Sequence, residues 1–163
     1  MALTQIGPNS TEGQVAPGLH REVIQSIGTT ERQLLASESG SLVILDASDQ
    51  ITIRLPTPVA GMTFDFLTTI SVTTSDTHKI ITKTIATEFL LGGIDSSSTT
   101  VAEGGDTFTA VTGDSFVAIT SNGSTTGGLL GQKFTLTAIS ATRWAVSGLL
   151  CGTGTLATPF ATS

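Results

Sequence analysis

The sequence contains few charged residues. Asp, Glu, Lys and Arg make up 12% of the chain, about half of the roughly 25% that is usual in soluble proteins. Nucleic-acid binding depends on clustered cations that release counterions from the phosphates. The seven basic residues are instead scattered along the chain: Arg21, Arg32, Arg54, Lys79, Lys83, Lys133 and Arg143. Together with a net charge of −6, this scatter predicts no nucleic-acid partner.

Long apolar runs and cysteines are also scarce. The longest apolar runs, Leu42–Leu45 and Phe89–Leu91, are far shorter than the ~20 residues that a membrane-spanning helix needs. The N-terminus lacks the basic start and apolar centre of a secretory signal. Cys151 is the only cysteine, so no intrachain disulfide can form, which fits a reducing cytoplasm. We expect no membrane contact and a weakly charged surface that partner molecules cover.

Residue types that carry catalysis are few and poorly placed. The two histidines, His20 and His78, have no second histidine or cysteine at metal-ligand spacing. Ser115 follows Gly113 and Asp114, as in the Gly-Asp-Ser hydrolases, but both histidines precede it, whereas the general base of that family follows its nucleophile. A turn explains the same residues. We therefore expect no enzyme, no cofactor and no metal site. Two carboxylate pairs are more typical of turns than of Ca²⁺ binding: Asp46 with Asp49, and Glu103 with Asp106.

The hydropathy pattern indicates strands over most of the chain. Ile51–Leu55 and Met62–Phe66 alternate apolar and polar residues, which directs one set of side chains to a core and the other to solvent. Threonine is abundant in such runs and suits a half-buried strand. Only residues 30–37 could form a short helical turn, and a strand fits them better. Further strands are predicted at Leu42–Leu45, Ile80–Ile85, Thr107–Val111, Phe116–Thr120, Phe134–Ile139 and Arg143–Ser147.

Turn-forming residues separate these runs, for example at Gly61, Gly92-Gly93 and Asn122-Gly123. The Ser- and Thr-rich residues 95–100 are predicted to form an exposed loop. Short strands at intervals of roughly 8–12 residues are typical of a sandwich or jelly roll. We predict an all-β fold with a single β-sandwich or jelly-roll-like domain over residues 19–163. Its main core anchors would be the seven Phe residues and Trp144.

Residues 1–18 have a different composition, with prolines and glycines between isolated apolar residues. We interpret them as an extended N-terminal arm, which buries too little surface to be ordered alone. Such an arm could lie on a neighbouring subunit. The residues predicted to contact a partner are Leu3, Ile6, Pro8, Val15 and Pro17.

Two stretches of the sequence resemble a known group of proteins. Residues 32–46 read Arg-Gln-Leu-Leu-Ala-Ser-Glu-Ser-Gly-Ser-Leu-Val-Ile-Leu-Asp, and residues 51–66 contain Leu-Pro-Thr-Pro-Val-Ala-Gly followed by Met-Thr-Phe-Asp-Phe. Together with Thr142-Arg-Trp144 and the ending Gly154-Thr-Leu-Ala-Thr-Pro-Phe160, this order resembles small β-structured phage virion proteins that decorate heads or build fibres. The resemblance covers residues 30–160 and involves turn and core positions, which define a fold more than an activity.

The resemblance implies a capsid decoration (cement) protein, made in the host cytoplasm and bound as a homotrimer to the outer surface of the assembled head. Its partner would be the major capsid protein. The alternative is a fibre or receptor-binding module that recognises glycans. Sugar sites usually present aromatic rings, and this chain has no Tyr and one Trp, which alternates with Val146 and is more simply a core residue. A glycan-degrading virion enzyme would need a catalytic constellation that the sequence does not show.

Overall fold

The computed structural model describes residues 22–25, 31–111 and 113–163. The predicted arm, with Leu3, Ile6, Pro8, Val15 and Pro17, lies outside these residues. The predicted all-β fold is confirmed, because two mixed sheets pack together as a sandwich. The strands of the described residues are β1 (Val23–Gln25), β2 (Glu31–Gln33), β3 (Leu42–Leu45), β4 (Ile51–Arg54), β5 (Thr63–Thr68), β6 (His78–Ile81), β7 (Phe89–Ser98), β8 (Gly105–Ala110), β9 (Ala118–Ser121), β10 (Lys133–Ser140), β11 (Arg143–Gly152) and β12 (Phe160–Ala161).

The chain alternates between the two sheets from β1 to β6. The larger sheet has the order β1-β3-β5-β10-β11-β7-β8, and the smaller has the order β12-β9-β6-β4-β2. In the larger sheet, β1 is parallel to β3, and β3 is parallel to β5. In the smaller sheet, β2 is parallel to β4, and β4 is parallel to β6. The first half of the described chain therefore winds around the core in successive turns. The second half adds two antiparallel hairpins, β7–β8 and β10–β11, to the larger sheet.

The core lies between the two sheets and contains most of the aromatic residues. Trp144, Phe64, Phe66 and Phe134 are almost completely buried. The rings of Phe66 and Phe134 stack with centroids 5.0 Å apart, and those of Phe64 and Trp144 are 6.0 Å apart and tilted. Such pairs stabilise a core by about 0.5–1.5 kcal/mol beyond their buried area. Aliphatic residues of both sheets complete it, and Phe160 is also buried.

The structure corrects the predicted turn at Gly92-Gly93 and the predicted loop over residues 95–100. Both regions belong largely to β7, which runs from Phe89 to Ser98. Gly92 has φ +110°, and a Cβ atom there would lie 2.6 Å from the carbonyl oxygen of Val146 on β11. Glycine is needed at this position because two paired strands approach closely, and no turn forms there.

Several element boundaries also differ from the prediction. Ile85 lies in an exposed loop, since β6 ends at Ile81. β11 continues five residues beyond its predicted end at Ser147, to Gly152. Residues 30–37 contain both predicted alternatives, because β2 covers Glu31–Gln33 and a 3₁₀ turn begins at Ala36.

Candidate interaction surface

The residues of the Gly-Asp-Ser motif form a turn between β8 and β9. The hydroxyl of Ser115 donates to the carbonyl of Gly113 over 2.8 Å, and the carboxylate of Asp114 pairs with Arg143 at 2.9 Å. Asp114 has φ +33°, which Asp tolerates better than most residues. The predicted turn is therefore confirmed. Among the described residues, no group of three His, Cys, Asp or Glu is placed to hold a metal ion.

His78 is a core residue at the start of β6. Its Nε2 lies 2.9 Å from the carbonyl oxygen of Ala47, and its Nδ1 is buried without a hydrogen-bond partner. Burial lowers the pKa of His78, while the carbonyls of Ala47 and Asp49 and the carboxylates of Asp46 and Asp76 oppose this shift. Burial therefore favours the neutral form of the imidazole.

Exposed aliphatic side chains concentrate at one end of the sandwich, which we call the apolar end. At this end β3, β5, β7 and β11 begin, and β8 and β10 finish. The side chains at or beside its loops are between 47% and 76% exposed: Leu35, Val59, Ile85, Val111 and Ile139. Clustered exposed aliphatics of this kind mark surfaces that bind other molecules.

Two pockets open at the apolar end. The first, of about 340 Å³, lies beside the start of β7 and the end of β8, and we call it the β7–β8 pocket. Its walls include Phe89, Leu91, Ala110 and Val111, with Arg143 at the same site. The second pocket, of about 320 Å³, lies near the end of β2 and includes Leu35, Val59, Met62 and Lys83. Both pockets are mainly apolar; the β7–β8 pocket also contains the ion pair of Arg143 with Asp114, and the second pocket contains Lys83.

The opposite end of the sandwich is acidic. Its loops cover residues 46–50, 69–77, 99–104, 122–132 and 153–159, and they contain no Lys or Arg. Carboxylates lie in these loops or on the adjoining β7–β8 hairpin: Asp46, Asp49, Asp76, Asp95, Glu103 and Asp106. This end also exposes Ile70, Val101 and Leu130, and these side chains share it with the carboxylates. The two ends of the molecule therefore differ in net charge.

A charged residue protects the free edge of the smaller sheet. Arg32 occupies an inward-facing position of the edge strand β2, since its register partner is the buried Ile53 of β4. Its Nη2 bonds the Glu38 carboxylate at 2.7 Å, and its Nη1 reaches the carbonyl of Gln25 in β1 at 3.4 Å. Inward-pointing charges on edge strands oppose pairing with another sheet. The edge is thus less suited to association than the apolar end.

Two residues considered in the sequence occupy positions that limit their chemistry. Trp144 is fully buried, as predicted, so its ring offers no stacking surface to a sugar. Cys151 is a half-buried free thiol, and burial raises its pKa. A thiol with a raised pKa is a poor nucleophile at neutral pH.

Sequence reasoning did not identify the apolar end. Its exposed aliphatics come from separate loops, and Ile85 and Val111 were assigned to predicted strands. The signal that the sequence does carry is an aliphatic residue inside a turn segment, as at Val59 between Pro58 and Gly61.

Comparison with known proteins gives no independent assignment, because no family model, curated protein or solved structure matches this chain. Among the described residues, no helix is long and apolar enough to span a membrane.

Proposed function

We propose that this chain is a structural phage protein that decorates the outside of the assembled head and stabilises the shell, acting as a homotrimer bound to the major capsid protein. The observation that carries the proposal is the apolar end. It combines exposed aliphatics and two mainly apolar pockets at one end of the sandwich. The resemblance in residues 30–160 to phage virion proteins supports the same assignment.

The apolar end is the side that would face the shell. A protein surface that carries exposed Leu35 and Val59 gains free energy when a partner removes it from water. A decoration protein that binds only the assembled lattice adds its binding free energy to the stability of that lattice. Several contacts of about 1,600 Å² each would give the avidity needed for full occupancy. The acidic end would then face the solvent.

Immunogold labelling of purified particles tests the location. An antibody against this protein is expected to label the whole surface of the head. Labelling confined to the tail or to fibres would replace the proposal with a fibre or receptor-binding module. No labelling would reject a virion component.

Paired substitutions test which end faces the shell. Val59→Asp places a charge at the apolar end, whereas Val101→Asp does so at the acidic end, where Val101 is 97% exposed. We expect Val59→Asp to weaken binding to particles that lack the protein by at least about tenfold, because a carboxylate would be buried in an apolar interface. Val101→Asp should bind as the parent protein does. Equal binding of the two variants in a sedimentation assay would contradict the proposed orientation.

A further inference from the structure

The N-terminal segment joins the described structure at one corner of the apolar end. The backbone N–H of Leu42 donates to the carbonyl of Glu22 over 2.8 Å, immediately before β1. Strand β1 forms one edge of the larger sheet, and β8 forms the other. Residues 1–21 therefore connect to the sandwich at the β1 edge, at the end where the exposed aliphatics lie.

The β7–β8 pocket lies at the same end but at the opposite edge of that sheet. Five strand intervals separate β1 from β7, which corresponds to about 24 Å. The pocket therefore lies at the opposite edge of the sheet from the point where its own chain's N-terminal segment begins. The pocket has a volume of about 340 Å³, and Val111 in its wall is 76% exposed.

A cyclic oligomer brings two such edges together. In a closed ring, each interface joins two different patches, so that the patch at one edge of a subunit meets the patch at the other edge of the next. A ring of this protein that places β1 beside the next copy's β8 also places residues 1–21 beside the next copy's β7–β8 pocket. A segment of 21 residues can extend up to about 70 Å, which would reach the pocket of its own chain as well, so cross-linking must distinguish the two pockets.

The chemistry of the segment matches the pocket. Residues 1–21 contain two charged residues, Glu12 and Arg21, and their aliphatic residues are separated mostly by small or polar ones. The pocket walls are mainly aliphatic and aromatic, from Phe89, Leu91 and Val111, beside the ion pair of Arg143 with Asp114. Isolated side chains such as Leu3, Ile6 and Val15 can fill a pocket of this kind without a folded partner domain.

We propose that residues 1–21 of one copy bind in the β7–β8 pocket of a neighbouring copy and thereby link the subunits of the oligomer. This inference rests on the proposed homotrimer and specifies the contact that holds it together. The pocket is the site, and the aliphatic residues of the segment are its ligands.

Matched aspartate variants of the full chain test the pocket. Val111→Asp introduces a charge into the pocket, and Val101→Asp introduces one at the acidic end; both side chains are exposed, so both variants should fold. In size-exclusion chromatography with light scattering, the parent and Val101→Asp should be trimers. Val111→Asp should dissociate at a protein concentration at least about ten times higher than the parent. A monomeric parent protein, or equal association of both variants, would overturn the proposal.

Cross-linking identifies the segment and its source. In a Cys151→Ser background, Val111→Cys is combined in turn with Leu3→Cys, Ile6→Cys and Val15→Cys, and a short bis-maleimide is added. At least one pair is expected to give covalent dimers and trimers, while the same segment positions paired with Val101→Cys should not. An intrachain product would show that the segment binds its own chain and would overturn the proposal. Dimers from Val111→Cys alone, or the absence of any cross-linked product, would also overturn the proposal.

These results separate the two proposals. Cross-linked trimers from a protein that does not label phage particles would support this contact and reject the decoration function. Head labelling by a protein that is monomeric in isolation would support the decoration function and reject this contact.

Discussion

At Gly148, a Cβ atom would lie 2.5 Å from the Cα of Phe134 on the paired strand β10. Gly148 has φ +141°, and Gly92 occupies a similar position against Val146. Both glycines lie inside long strands, where glycine usually weakens a sheet. Here they allow backbones to approach each other closely. The sequence shows a glycine but not its neighbour across the sheet, so Gly92 was interpreted as a turn and β7 was missed.

His78 makes the stability of the protein depend on pH. Because burial holds the pKa of His78 in the folded state below its ordinary value of 6.5, the unfolded chain binds the proton more readily. The stability associated with a neutral His78 is therefore fully present above about pH 6.5. It is lost as the pH falls from there towards the lowered pKa. We expect the free energy of unfolding to decrease by up to about 1.4 kcal/mol per pH unit in that window.

Urea unfolding between pH 5 and pH 7.5 measures this effect. His78→Gln is the control, because its amide can still donate to the carbonyl of Ala47 but does not titrate. The variant should show a smaller pH dependence than the parent. Identical slopes in the two proteins would assign the titration to other groups.

Among the elements, the strands with regular alternation were predictable and the short edge strands were not. β3 was predicted at its observed bounds as a continuous apolar run. β4, β5 and β10 were predicted to within two residues, because apolar residues recur at alternate positions in them. β1 and β12 contain three and two residues, too few for any periodic signal. Their pairing with β3 and β9 defines them. The apolar end was unpredictable for a related reason, since only the strand order brings its separate loops together.

Edge strand β2 depends on Arg32. We expect Arg32→Met to lower the free energy of unfolding by about 1–3 kcal/mol, because Glu38 loses a charged donor at 2.7 Å. The variant should also associate as its concentration rises, since an apolar residue replaces the charge that opposes edge pairing.

Urea unfolding and light scattering measure the two effects. Arg54→Met is the matched control, because Arg54 faces outward on β4 and pairs at 3.0 Å with Glu31, whose side chain is 57% exposed. Equal stability loss and equal association in the two variants would argue against a special role of the β2 edge.

The whole molecule is built from contacts between distant parts of the chain. Phe66 on β5 pairs with Phe134 on β10, and Leu90 on β7 pairs with Trp144 on β11. The core between the sheets receives side chains from both halves of the described chain. Neither half of the described chain buries its apolar face alone.

We therefore expect a single cooperative unfolding transition and slow refolding, on a timescale of milliseconds to seconds or longer, because distant segments must meet before contacts form. Stopped-flow fluorescence of Trp144 reports on the core during refolding, and far-UV circular dichroism reports on the sheets. Coincident equilibrium transitions are expected from both probes. Two separated transitions would show that the halves fold independently.

The position of Glu22 has a mechanical consequence. Because the chain enters β1 at the apolar end and β1 is parallel to β3, a tension applied through the N-terminal segment and directed away from that end acts along the strand axis. The hydrogen bonds between β1 and β3 would then be loaded together in shear, whereas a perpendicular pull would open them one after another. A subunit tethered by its N-terminal segment would thus resist detachment along the strand direction more strongly than sideways peeling.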